Sequence, residues 1–270
     1  MATAVTDKIQ SVHQTMMSSS WYSEAALKIR DPRLLFMNHG YWTPGTEPLS
    51  SEIGAYAHQL SEALVLKVMG DLPAVGDRIL DVGCGRGGAC ALLARVSEAA
   101  RIVGLDRCEE GIATCRQNVV QDHVEFVVGD AQDLPFPDAS FERLVNIESS
   151  HGYPNRRGFF DEVHRVLVPG GVFNYTDGIP LHSLDQHHED LEAAGLIVDL
   201  TEDITEPVIE ALVRCSDDRR AFFETMIAAG TADEAFANRL CNALTSSVPD
   251  MYRQKSLNYI VWRCHKPEQA

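Results

Sequence analysis

No stretch of this 270-residue chain approaches the ~20 consecutive apolar residues that a membrane-crossing helix requires, so no transmembrane span is expected. The opening "MATAVTDKIQ" has neither a basic n-region nor an apolar h-region, which points to the cytoplasm rather than to export. Positive charge is scarce: 23 Lys and Arg stand against 39 Asp and Glu, a formal charge of −16. Most of such a surface repels a phosphate-rich polymer, so nucleic acid is not an expected partner. Paired cysteines are missing too. The seven thiols at 84, 90, 108, 115, 215, 241 and 264 are odd in number, scattered and free of any C-x-x-C spacing. That pattern suits reduced thiols better than a disulfide framework or a zinc site. There are no internal repeats and no low-complexity tracts.

What is present is a chain that is 45% hydrophobic, normal for a packed core, in which short β-branched runs alternate with helical patterns from Arg78 onward. This is the signature of a mostly parallel sheet with helices on both faces. "RILDV", "RIVGLD", "VEFVVGD", "RLVNIE" and "GVFNYTD" read as five successive strands. "GACALLARV", "EEGIATCRQNVV" and "RRGFFDEVHRVL" read as the helices between them, the last stopped by Pro169-Gly170-Gly171. A helix through "HHEDLEAAGL" leads to a sixth strand, "IVDLTEDI", and "LNYIVWRC" supplies a seventh. The fold class is thus α/β, with a Rossmann-like seven-stranded sheet. Four parts follow: a mostly helical N-terminal cap over 1–70 with a Pro- and Gly-rich break at "YWTPGTEP", a ligand-binding core over 71–204, a helical insertion over 205–256, and the last strand over 257–270.

The ligand is argued from the strand ends, because an open parallel sheet binds beyond its carboxyl edge near the topological switch point. In "ILDVGCGRGG", Gly83, Gly85 and Gly88 fit G-x-G-x-x-G, a dinucleotide-binding spacing. Asp81, two places before the first glycine, opposes a pyrophosphate there and welcomes a cation instead. That acid, and the helix-rich chain ahead of the loop, weigh against a nicotinamide-dependent oxidoreductase. Asp106 ends strand two, 25 residues later, where a carboxylate can accept from both ribose hydroxyls. Gly129-Asp130-Ala131-Gln132 ends strand three, where Asp130 can accept from an exocyclic adenine amine while a backbone N–H serves a ring nitrogen. Three acids at three strand ends suit a nucleoside carrying positive charge, and S-adenosylmethionine is such a ligand. As turn residues alone, Gly83, Gly85 and Gly87 leave those acids unexplained. Gly88 is assigned to close packing of helix against strand.

Taken together, "ILDVGCGRGG", "GLD", "GDAQDLPFPDASFE" and "EVHRVLVPGG" resemble the class I S-adenosylmethionine-dependent methyltransferases over residues 78–176. "FMNHGYW", "NIESSHGYP" and "FFDEVHRVLVPGG" look more narrowly like actinobacterial methyltransferases of secondary metabolism, including those acting on phthiotriol-type lipids and macrolide-like polyketides. The resemblance implies that Asp81 and the loop Gly83, Cys84, Gly85, Gly87 hold the methionine end, Asp106 the ribose, and Asp130 with Ala131 and Gln132 the adenine. Arg107 is implied to stack beside adenine, and Asn146 joins the same set. Cys84 is otherwise a small loop residue. Tyr41 and Trp42, with His39, match a segment that in related enzymes folds over the donor; the alternative is an aromatic pair in the cap's core. Trp21 or Tyr22 could belong to the same lid.

Methyl transfer from a sulfonium needs orientation and dryness first, and a base only where the acceptor must lose a proton. His151, in "SSHGYP" after strand four, can accept a hydroxyl proton near neutral pH, as related enzymes imply at this place; otherwise it only shapes the loop. Tyr153 orients substrate or packs. Asp177 reads first as a cap for the following segment and second as a partner of His151. "HSLDQHHED" holds His182, Asp185, His187, His188 and Glu189, yet it matches no metal spacing and reads as a solvated helix start, so no metal is expected. In the insertion, Ile209, Leu212, Val213, Phe222, Phe223, Met226 and Ile227 either pack on the sheet or line an acceptor pocket. The expected function is methyl transfer to a hydroxyl of a small apolar secondary metabolite. C-methylation of an electron-rich ring, or a cyclase that binds the donor without transfer, are the alternatives. Apolar residues on the cap leave room for a homo-oligomer.

Overall fold

The computed structural model describes residues 24, 25 and 27–268, so the expectations placed on Trp21 and Tyr22 lie outside the described residues. Seven strands form one sheet in the order β3-β2-β1-β4-β5-β7-β6. They are β1 (Arg78–Val82), β2 (Arg101–Asp106), β3 (Val124–Val128), β4 (Phe141–Ile147), β5 (Leu167–Ile179), β6 (Ile197–Asp203) and β7 (Asn258–His265). The first five pair in parallel, whereas β7 runs antiparallel between β5 and β6. Strand order reverses between β1 and β4, and the switch point opens a crevice at their carboxyl ends.

Alternation along each strand divides the core in two. Ile79, Ile102, Val145 and Val261 face α1 (Ala55–Met69), α2 (Gly88–Val96), α3 (Glu109–Asn118) and the insertion. Leu80, Val103, Leu144 and Trp262 face the other way, toward α4 (Arg156–Val166) and α5 (Leu184–Ala193). The insertion consists of α6 (Thr205–Arg214), α7 (Ser216–Ala228), α8 (Glu234–Asn242), a π-helical turn (Ala243–Ser247) and α9 (Val248–Arg253). Ile209, Leu212, Phe222, Phe223 and Met226 are buried there, whereas Val213 faces out.

Two expectations need correction. The helix before Pro169-Gly170-Gly171 does end, at Val166, but the fifth strand does not wait for Gly171, since β5 starts at Leu167 and runs through all three. Leu167 pairs with Phe141 and Val172 with Arg143, so the residues between bulge outward. Gly170 N–H donates to the Lys266 carbonyl and Lys266 N–H to that of Gly171, both at 2.9 Å, which keeps the bulge in the sheet. Secondly, the Pro- and Gly-rich break expected at "YWTPGTEP" is wider than that stretch: from Arg30 to Gly54 the chain forms neither helix nor strand. Pro32, Pro44 and Pro48 remove backbone donors there, and the segment lies as a strap across the domain.

Candidate active site

The crevice at the switch point gathers the strand-end residues expected to hold a donor. Asp81, Gly83, Cys84, Gly85, Asp106, Arg107, Asp130, Ala131 and Gln132 all line one cleft, together with the strap residues Leu35 to Asn38. The glycine loop is held from below, with Gly83 and Cys84 N–H both donating to the Leu105 carbonyl at 2.7 and 3.0 Å. Gly83 has φ +74°, and a Cβ there would lie 2.2 Å from Ser149 Oγ, so glycine is required on steric and conformational grounds alike. Gly88 corrects its expected role: an added Cβ would meet Phe36 Cδ1 at 2.6 Å and the Leu35 carbonyl at 2.7 Å. It admits the strap rather than a strand.

The three acids differ in what already binds them. Asp106 accepts from Gly85 N–H at 3.0 Å and Cys108 N–H at 2.9 Å, so it also braces the loop. Burial pushes its carboxyl up in spite of those bonds. Asp130 uses only Oδ1, accepting from the backbone and side-chain nitrogens of Gln132 at 2.9 and 3.0 Å. Burial works against these bonds, yet the carboxyl remains below its usual range. Asp81 is buried and has no cationic partner among the described residues; only Cys90 Sγ, at 3.4 Å, approaches it. Burial, with Asp106 nearby, pushes it up to about 7 despite the thiol. A buried carboxylate without a counter-charge fits a ligand that brings one.

Beside this cleft stands a second constellation. His151 Nδ1 lies 2.7 Å from Asp177 Oδ1, and its backbone N–H donates to Asp177 Oδ2 at 2.9 Å. Ser150 Oγ donates to the same Oδ2 at 2.7 Å, and the Tyr175 hydroxyl lies 2.7 Å from Ser150 Oγ. Asp177 therefore pairs with His151 instead of primarily capping the next segment; its one bond in that direction is from Gly178 N–H, at 2.8 Å. Burial pulls the imidazole down, but Asp177 outweighs it and the ring ends above its ordinary value. Any proton the ring exchanges with an acceptor passes through Nε2. Tyr153 lines the cleft and packs on Phe159, while its hydroxyl lies 2.7 Å from Ser149 Oγ. Asn146 sits beneath, donating to Ser149 Oγ and the Val82 carbonyl at 2.7 and 2.8 Å.

Residues 80–174 match the family described as Methyltransferase domain. A protein of Mycobacterium ulcerans named "Probable phthiotriol/phenolphthiotriol dimycocerosates methyltransferase 2" is 35% identical over 176 residues, which cover 65% of this chain and 68% of that protein. The chain belongs to the methyltransferase family. A fatty-acid O-methyltransferase of Mycolicibacterium smegmatis is 41% identical over 179 residues; the match spans 65% of this chain and 64% of that relative. The crystal structure of the [4+2]-cyclase SpnF superposes with a TM-score of 0.69 at 22% identity, covering 97% of this chain and 96% of that one, a likeness of fold.

In this methyltransferase-family chain, Tyr41 and Trp42 stand apart from the cleft lining: Trp42 lies under Arg214, 3.8 Å from ring centroid to guanidinium carbon, and Tyr41 beside Lys67. His39, by contrast, bridges the strap to the site, donating its N–H to Glu148 Oε1 at 2.8 Å, with Nδ1 3.1 Å from the Tyr252 hydroxyl. Glu148, an acid at a fourth strand end, also accepts from the Tyr259 hydroxyl at 2.5 Å and was missed, although the reasoning applied to Asp81 would have found it. Arg86 was missed too; buried in the glycine loop, it donates to the carbonyls of Ile29, Asp31 and Leu34. Among the described residues no group of three or more His, Cys, Asp or Glu is arranged to hold a metal, and His187 instead bonds the Ser183 carbonyl and stacks on Trp262. All seven cysteines are buried, with no disulfide among the described residues, and no helix among them is long and apolar enough to cross a membrane.

Proposed function

We propose that the chain transfers a methyl group from S-adenosylmethionine to a hydroxyl of a lipid-like acceptor, with His151 as general base. The observation that carries this reading is the juxtaposition of the His151–Asp177 pair with a cleft whose buried Asp81 lacks a counter-charge. The donor, when bound, supplies an electrophilic methyl on a sulfonium. Asp81 would hold its positively charged methionine end, Asp106 the ribose hydroxyls, and the unbonded Oδ2 of Asp130 the adenine amine. Leu35 to Asn38 close the cleft against water. His151 takes the acceptor's proton at Nε2, and Asp177 fixes the tautomer and balances the imidazolium that forms.

A second reading is favoured by the 41% identical fatty-acid O-methyltransferase: the accepting oxygen belongs to a carboxylate, which is already ionised and needs no base. Methyl-labelled donor with ω-hydroxydodecanoate separates the two. Under the hydroxyl reading the product is an ether, and its rate climbs with pH through a limb above the usual ~6.5 of histidine, because Asp177 raises the ring. His151→Ala lowers turnover by about 100- to 10,000-fold at unchanged donor affinity, and Asp177→Asn moves the limb to lower pH. A methyl ester formed equally well by His151→Ala would establish the carboxylate reading, and donor binding with no label transferred to any acceptor would leave a non-methylating protein.

A further inference from the structure

The first turns of α7 read Ser216-Asp217-Asp218-Arg219-Arg220, and one of these charges turns inward. Arg219 is 5% exposed, and its Nη1 is fully buried without a hydrogen-bond partner. The acid beside it in sequence forms no ion pair with it; Asp218 Oδ1 and Oδ2 accept instead from Gly54 and Ala57 N–H at 2.7 and 2.9 Å, at the start of α1. No other carboxylate among the described residues forms an ion pair with it. An arginine cannot escape burial by losing its proton, so an isolated one calls for an anion from outside.

Arg219 lines a cavity of about 470 Å³ between the strap, α1 and the insertion. Phe222, Phe223, Leu240 and Leu244 supply its apolar wall, and Phe36 and Met37 close it on the strap side. The other charges there are spoken for or outside: Arg33 pairs with Asp31 at 2.7 Å, Glu62 with Arg95 at 2.6 Å, and Glu52 is at the exposed rim. Leu35 to Asn38 line this cavity and the glycine-loop cleft alike, so the strap is their shared wall. Burial depresses the His39 imidazole against the pull of Glu148, the Arg219 charge adds to that depression, and His39 is bonded to Glu148 at the cleft's edge.

We propose that Arg219 anchors the carboxylate of the acceptor, a long-chain hydroxy acid whose hydrocarbon fills the cavity and whose hydroxyl end passes the strap to the cleft. This rests on the methyl-transfer reading only in calling the bound acid the acceptor. An apolar enclosure with one buried cation is selective in a defined way: a neutral chain loses nothing but the ion pair, and a short acid loses the burial.

The test is binding of dodecanoate against methyl dodecanoate to the full chain, by calorimetry, with Arg219→Met and Arg219→Lys alongside. The native protein is expected to prefer the acid at least tenfold. Arg219→Met abolishes the preference while keeping ester affinity, and Arg219→Lys restores part of it. Arg219→Met also raises the ligand-free Tm, because it removes an uncompensated buried charge; a merely structural arginine would lower it. Equal native affinity for acid and ester overturns the anchor whether or not any variant folds. Acid-selective binding lost in Arg219→Met but accompanied by no label transfer leaves the anchor standing and removes the methyl-transfer reading. Label transfer to a neutral acceptor with no acid preference does the reverse.

Discussion

The glycine-loop cleft and the cavity behind the strap share a wall but are built differently. The cleft takes its polar groups from consecutive strand ends, each within a few residues of a glycine or a turn: Asp81, Asp106 and Asp130. The cavity takes its one buried charge from the insertion and its walls from segments far apart in sequence. Backbone geometry dictates the first, whereas packing of inserted helices dictates the second. A site made by backbone can be read in a short motif; one made by packing cannot.

The sharpest way to break this contrast is at Asp81. Asp81→Asn should weaken binding of S-adenosylmethionine by about 30-fold or more, since it removes one partner of a buried charge pair and leaves the other. The pH dependence carries the sign. With the free carboxyl near 7, a cationic ligand must bind its ionised form, so native affinity should fall as pH drops below about 7 while that of the variant stays flat. Calorimetry across that range checks both, and a flat native profile would remove the counter-charge role. Dodecanoate binding should not change, which would show that the two compartments are energetically separate.

Gly88→Ala is expected to blur the contrast, because its Cβ would press on backbone of the shared wall. It should cost about 1–3 kcal/mol of stability and weaken donor and acid together, measured as Tm and two affinities on one preparation. Weakening of the donor alone would mean that the strap is not a common wall. The smallest effect is expected at Trp42→Ala: donor affinity should stay within about twofold, and the loss of the Arg214 contact should cost about 0.5–1 kcal/mol. A large loss of donor affinity would return Trp42 to the lid.

The strands, the acids at three of their ends and the His151 loop were legible because period-2 alternation and turn residues are local signals. Val124 to Val128 and Ile197 to Asp203 form strands where the pattern places them. Pro169-Gly170-Gly171 misled because a bulge and a break use the same residues, and only Lys266, about a hundred residues on, decides between them. The strap misled because its prolines signal an absence of helix without saying where the chain goes. Arg219 carried no local signal at all: in "SDDRR" it reads as a solvated helix start, and its burial depends on α8 and α1 packing around it. His151 with Asp177 lies between these cases, both residues visible but their pairing set by adjacent strands.

The three carbonyls held by Arg86 have a mechanical meaning. One buried guanidinium pins residues 29, 31 and 34 to the glycine loop, so lifting that end of the strap must either strip all three bonds or drag the loop with it. The strap is thus pinned to the glycine loop at one end and again, at His39, to Glu148. The rear compartment has its exposed rim at Leu49 and Glu52. Two ligands would then share one wall, and transfer between them requires the acceptor's reacting atom to reach past the strap to the methyl group.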